Sequence, residues 1–209
     1  MALERVWEGV HAECGHQTAR QVYVPEWDRW RWRCTGCPAR GVAWAPPAAT
    51  CSACGSALDA HREEALLDLD VRSAQHPRLL LDVTVRHAVP GDAHRLARAA
   101  DNDGAVAKEA EHDKHLRYPA AQAPYKLLPL ALDTYGRHGR EALQHLRLLA
   151  KRRAQSLDEG ADHAASALVQ RWACRLSVAL HRANAENLRK SLGVDDVRRR
   201  AELAAELAQ

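Results

Sequence analysis

Residues 65 to 87, ALLDLDVRSAQHPRLLLDVTVRH, can fold in few ways. Strand side chains alternate with a period of two, so Ala65, Leu67, Leu69 and Val71 share one face. Leu66, Asp68, Asp70 and Arg72 share the other. After a polar turn the pattern repeats, with Leu79, Leu81, Val83 and Val85 set against Leu80, Asp82, Thr84 and Arg86. The spacing predicts two adjacent strands, each apolar on one face and acidic on the other. Aspartate is a poor strand former, and placing it between leucines needs a reason. A divalent cation held between the strands supplies one, since hard cations take carboxylate oxygens. A plain amphipathic hairpin with a wet face is the alternative.

Upstream lie Cys34-Thr-Gly-Cys37 and Cys51-Ser-Ala-Cys54-Gly55, with 13 residues between the pairs. Two CxxC knuckles at this distance match a structural zinc ribbon, and glycine beside a cysteine permits the tight turn. Four thiolates leave zinc no open position, which makes it structural rather than catalytic. Just before the first knuckle, Trp27, Trp30 and Trp32 interleave with Arg29, Arg31 and Arg33. Such a patch can cover a small metal knuckle that has little core of its own, or stack on bases and contact phosphates. His11, Cys14 and His16 fall in a helical stripe over 3–17, with Cys14 and His16 nearly opposite, and read as ordinary residues.

The remaining pattern places a strand at 21–24, a long alanine-rich helix at 92–117 ended by Tyr118-Pro119, and a strand at 127–134 containing Pro129. That proline argues against a fully paired central position. Helices follow at 140–153, 161–191 and 195–207. The expected fold class is α/β (α+β): a mixed sheet flanked by helices. Residues 1–25 supply its first helix and strand, 26–60 the zinc-ribbon insert, 61–155 the remainder of the core and 156–209 a C-terminal helical extension.

The order of elements, with two acids 12 to 14 residues apart on successive strands, is the pattern of the PD-(D/E)XK nuclease core. The runs LLLDVTVRHAVP, AKEAEHDKHLRYP and LPLALDTYGRHGREAL resemble the restriction-like endonuclease domain of site-specific non-LTR retrotransposons. The resemblance covers about residues 60 to 155 well and the rest loosely. It implies DNA cleavage by metal-assisted hydrolysis, with catalytic Mg²⁺ beside the structural Zn²⁺. Carried onto this chain, Asp82 is the acid of the third strand. Asp70 is the preferred acid of the second, with Asp68 the alternative. Thr84 stands where a lysine is expected. Lys114, on the following helix one turn after Glu111, fits the retroelement pattern in its place, ahead of Lys108. Arg86 shares the face of Asp82 and suits a phosphate, as do Arg29, Arg31 and Arg137. For Asp133 and Arg137, just past the last strand, a turn contact is the plain reading and a substrate role the alternative.

A net charge of only +3 does not by itself announce a nucleic-acid partner. The charged N-terminus lacks an apolar core and no apolar run can span a bilayer, so the expectation is a soluble intracellular protein, cytoplasmic or nuclear. DNA is the expected partner, with a homodimer or a larger protein complex also compatible. Two readings compete: an active endonuclease, and an inactive nuclease-like zinc-ribbon protein that binds nucleic acid or a protein. A helical interaction protein built on residues 140–209 is a weaker third.

Overall fold

The computed structural model describes residues 2–74, 76–89, 91–157 and 161–193. The chain is mixed α/β, with two separate sheets. The larger sheet is built from β1 (Gln17–Tyr23), β5 (Leu66–Ser73), β6 (His76–Arg86) and β7 (Lys126–Asp133), in the order β1-β5-β6-β7. β5 is antiparallel to both of its neighbours, β1 and β6, and β7 runs parallel to β6. The smaller sheet, β3-β2-β4, is antiparallel and lies between β1 and β5 in sequence. Its strands are β2 (Arg29–Cys34), β3 (Arg40–Ala43) and β4 (Leu58–Glu63).

The alternation in the hairpin decides how the large sheet is covered. Leu69, Val71, Leu81 and Val83 join Leu128, Leu130 and Leu132 of β7 on one face. Three helices pack on that face: α1 (Ala2–Glu13), α4 (Arg140–Ser156) and α5 (Ala161–Ser191). They bring Trp7, Val10, Leu146, Leu149, Trp172 and Leu176, all essentially inaccessible. The opposite face is thinner, and Ala65 and Leu67, expected beside Leu69 and Val71, pack there instead, since the alternation of β5 breaks at Asp68. There α3 (Ala105–Arg117) sets Ala107 and Ala110 against Ala131, and Leu80 and Leu127 meet Trp27 and Tyr118. Small residues let α3 approach the sheet closely enough for its longer side chains to reach β6. Pro129 costs little because β7 is an edge strand.

Several expectations are corrected. The first helix stops at Glu13, not near 17, because Gly15 adopts a left-handed φ of +76°. The chain then turns back and seats His16 on His11, Nδ1 to Nδ1 2.9 Å, so Cys14 and His16 lie beyond the helix and are not on opposite faces of it. The strand begins at Gln17 instead of Gln21. The single helix expected over 92–117 is two, α2 (Ala93–Asp101) and α3, broken where Gly104 takes a φ of +74°. The helix expected at 195–207 lies outside the described residues.

α5 belongs to the main core. Trp172 is fully buried, and its indole N–H donates to Glu13 at 2.8 Å, while Arg171 and Arg175 pair with the same carboxylate. Trp172→Ala should therefore cost about 3–5 kcal/mol, the usual range for a deleted buried aromatic. Urea unfolding checks this; a loss near zero would mean that α5 contributes no shared core.

Candidate functional site

Register selects which hairpin acids meet. Leu69 pairs with Leu81, Asp70 with Leu80 and Val71 with Leu79. Continued by one residue, the same register sets Asp68 opposite Asp82. There the backbone ladder gives way: the Asp68 carboxylate accepts the Val83 N–H at 2.6 Å. β1 is irregular at the same level. Arg20 pairs with Leu69 and Val22 with Leu67, so Gln21 lies opposite Asp68, and Gln21 holds a φ of +53°. A non-glycine residue in this region is uncommon and marks a local distortion of the strand.

Four side chains converge at this opening. Asp82 is 4% exposed and Glu4, from the first turn of α1, is 5% exposed. Asp68 is half-buried, and its carboxyl is hydrogen-bonded to that of Glu4. Lys114 reaches down from α3 and pairs with Asp82. Tyr118 walls the site: burial first, and then the Asp82 charge, push its hydroxyl up to about 12. Burial also raises Asp82, against the opposing pull of Lys114. Asp68 is pushed up to about 7, by burial first and then by the charges of Asp82 and Glu4, despite the Val83 hydrogen bond. Three carboxyls thus face one ammonium in a poorly solvated recess, and the excess negative charge calls for a proton or a cation.

The preferred pairing of Asp70 with Asp82 is corrected. Asp70 is buried, but both its oxygens are occupied, one by Arg78 at 3.0 Å and the other by Arg72 at 2.9 Å. It is a neutralised structural acid, and the alternative, Asp68, takes the place facing Asp82. Glu111 does not enter the site either. Its carboxylate accepts the Glu141 N–H at 2.8 Å and so caps α4, whose own N-cap, Gly139, has no side chain to do this. Lys108 is exposed and away from the recess, leaving Lys114 as the lysine that arrives. Arg86 pairs with Asp113, and Arg137 with Asp103. Asp133 accepts the Tyr135 and Arg137 N–H groups, a turn contact. The sequence reading missed Glu4 and Tyr118. Neither carries a motif, and only the packing of α1 and the end of α3 against β5 and β6 brings them in.

The small sheet gathers the cysteines. Cys34 and Cys54 sulfurs are 3.4 Å apart, Cys37 and Cys51 sulfurs 3.8 Å, and all four lie within 4.8 Å of one another. None is disulfide-bonded. Among the described residues this is the one group of three or more His, Cys, Asp or Glu ligand atoms so close together, and it could hold a metal ion. Hydrogen bonds from the Ser56 hydroxyl and N–H hold Cys54 down to about 6, so a thiolate is available. The sheet is fixed beside the acidic recess. Arg117, one turn past Lys114, donates to the carbonyls of Trp27 at 2.6 Å and Glu63 at 3.3 Å. Arg29 and Arg31 share Glu63, Arg33 pairs with Asp59, and Arg40 lies across from Arg33.

No protein-family model matches this chain, and comparison with curated proteins and with solved structures finds no match. Among the described residues no helix is long and apolar enough to cross a membrane.

In metal-free protein the Asp68 carboxyl should titrate near pH 7, and Asp82→Asn or Glu4→Gln should lower that midpoint. Carboxyl ¹³C shifts followed through a pH titration measure it. A wild-type midpoint near the ordinary value of about 4 would show that the three acids do not interact in this way.

Proposed function

We propose that the chain is a divalent-metal-dependent DNA endonuclease of the restriction-like kind, acting through Asp68, Asp82 and Lys114. The observation that carries this reading is the approach of Lys114 to Asp82, directly across the strands from Asp68. The expected lysine position on β6 is Thr84, and α3 delivers an ammonium to the same recess instead. The succession α1, β1, β5, β6, α3, β7, with β7 parallel to β6, also follows the order that the resemblance implies.

The donor set suits Mg²⁺, which takes one or two carboxylates together with waters and substrate phosphate. Asp68 and Asp82 would hold it, and the ion would offset the burial that raises both acids and the Asp82 charge that further raises Asp68. When bound, it neutralises charge developing on the phosphate and lowers the pKa of water. Lys114 orients the attacking water from its place on Asp82. Asp70, tied to two arginines, keeps β5 in register and takes no part in the chemistry.

The four cysteines form a structural zinc site in this reading. Tetrahedral Zn²⁺ with bonds of about 2.3 Å spaces its sulfurs about 3.8 Å apart, close to the observed 3.4 and 3.8 Å. One face of the same sheet sets four arginines, Arg29, Arg31, Arg33 and Arg40, against two carboxylates, Glu63 and Asp59. Its surplus positive charge, held next to the recess by Arg117, suits a DNA backbone.

Plasmid nicking tests the activity. With Mg²⁺ or Mn²⁺ the wild type should nick, while Asp68→Asn and Asp82→Asn abolish cutting. Lys114→Met should slow it roughly 10²–10⁴-fold, as loss of a positioned proton-transfer group does. Asp70→Asn should keep cutting if circular dichroism shows it folded. Because metal competes with the proton on Asp68, the rate should rise with pH through about 7, with a midpoint that falls as Mg²⁺ increases. Wild-type protein that is inert with both metals yet binds DNA would return the chain to the binding-module reading.

Elemental analysis should find one zinc per chain, lost together with the fold of residues 29–63 in Cys37→Ser. Absence of zinc, or unchanged metal content in the variant, discards the zinc site.

A further inference from the structure

At the other end of α1 from Glu4, the turn at Gly15 builds a row of three imidazoles. His11 is fully buried, and both its nitrogens are engaged: Nδ1 lies 2.9 Å from His16 Nδ1, and Nε2 lies 3.2 Å from Nε2 of His145 on α4. The row forms the back of a cavity of about 440 Å³ between α4 and the sheet. Apolar walls come from Leu79 of β6, Leu128 of β7 and Leu148 of α4. Lys126, the first residue of β7, and Arg152 of α4 also line it.

The occupant's charge follows from these groups. A metal cup needs one nitrogen from each ring to converge on a point. Here the two nitrogens of the central ring face different partners, which makes a chain of hydrogen bonds and not a cup. Burial, then the neighbouring histidines, hold His11 down to about 3. Burial, followed by the charges of His16, Arg152 and Lys126, holds His145 at about 4. His11 and His145 are therefore neutral at pH 7, and the fixed charges on the cavity wall are those of Lys126 and Arg152. The one acid in the wall, Glu141, is bonded to His115 at 2.7 Å. Among the described residues neither Lys126 nor Arg152 is paired with a carboxylate. Two exposed cations, a hydrogen-bonded histidine row and leucine walls fit a molecule with an anionic head and an apolar body.

We propose that this cavity binds a small organic anion, with a carboxylate or phosphate head held by Lys126 and Arg152 and an apolar body against Leu79, Leu128 and Leu148. The site is separate from the acidic recess and does not rest on the nuclease reading. The polarity of the histidine row adds a directional device. Each N···N contact takes one proton, so the three rings share one orientation, and a ligand at one end selects it.

The test titrates the full chain with benzoate, phenyl phosphate, inorganic phosphate and benzyl alcohol, followed by amide and side-chain NMR. At least one of the two aromatic acids should bind saturably and shift resonances of Lys126, Leu128 and His145; which of them binds tighter identifies the head. The Lys126→Met/Arg152→Met protein, which removes both charges and keeps an unbranched apolar stem at each position, should bind at least about tenfold more weakly, as loss of charge-assisted hydrogen bonds requires. Equal affinity in that protein overturns the proposal, provided its spectrum is that of the folded chain. So does absence of saturable binding by both acids. Benzyl alcohol binding as tightly as benzoate would leave a merely apolar pocket, and inorganic phosphate matching phenyl phosphate would leave only surface charge; either result rejects the site as proposed.

Discussion

A buried excess of carboxyl groups governs this fold's most unusual region. Asp82 is almost inaccessible, Asp68 faces it, Glu4 joins Asp68, and a single ammonium, Lys114, enters among them. Burying charge that is not fully paired costs several kcal/mol unless a proton or a cation compensates it. The rest of the architecture holds this arrangement in place. Three helices weld the far face of the sheet into one core, and the alanine contacts of α3 bring Lys114 close on the near face. β5 and β1 both depart from regular strand geometry at the level of Asp68. Strain and incompletely compensated charge at one place make this recess the candidate site of the molecule.

Acids elsewhere in the hairpin region show the contrast. Asp70 is as buried as Asp82, yet two arginines satisfy both its oxygens. Glu111 is buried, yet backbone N–H groups of α4 satisfy it. These are acids whose charge has been absorbed by structure. Sequence position alone does not separate them from Asp68 and Asp82, because all four sit on amphipathic elements among apolar neighbours.

The two remaining polar centres are built on different principles. The four cysteines collect on a small sheet with little apolar core of its own, where a metal can replace the missing hydrophobic driving force. The three histidines line the edge of the main core, where His11 and His145 are held neutral, burial being the first cause, and the rings bond to one another. With a metal bound, the first centre would supply folding energy to a segment that has little of its own. The other is a polar seam that a well-packed core can tolerate because each ring has a partner.

Much of this was legible in the residues. The period of two over 65–87 marked the two strands and the shared face of Leu69, Val71, Leu81 and Val83, though not the crossing of Ala65 and Leu67 to the other side; the CxxC spacing marked the thiol cluster, and the helical periods placed α4 and α5 within a few residues. These are local properties, set by side-chain alternation and short-range spacing. Pairing register is not local. A shift of two residues keeps every side chain on its face and exchanges Asp68 for Asp70, so the pattern allows both while the tertiary structure admits one. The same holds for Gly15 and Gly104. The sequence shows glycine, but only the packed chain shows that it turns left-handed there, ending α1 early, folding His16 onto His11 and splitting α2 from α3. Glu4, Tyr118 and the caps of Glu111 arise from contacts more than 60 residues apart or between separate elements. The sequence determined which residues could carry charge on the inner face; long-range packing, by setting register and solvent access, decided which of them remained uncompensated.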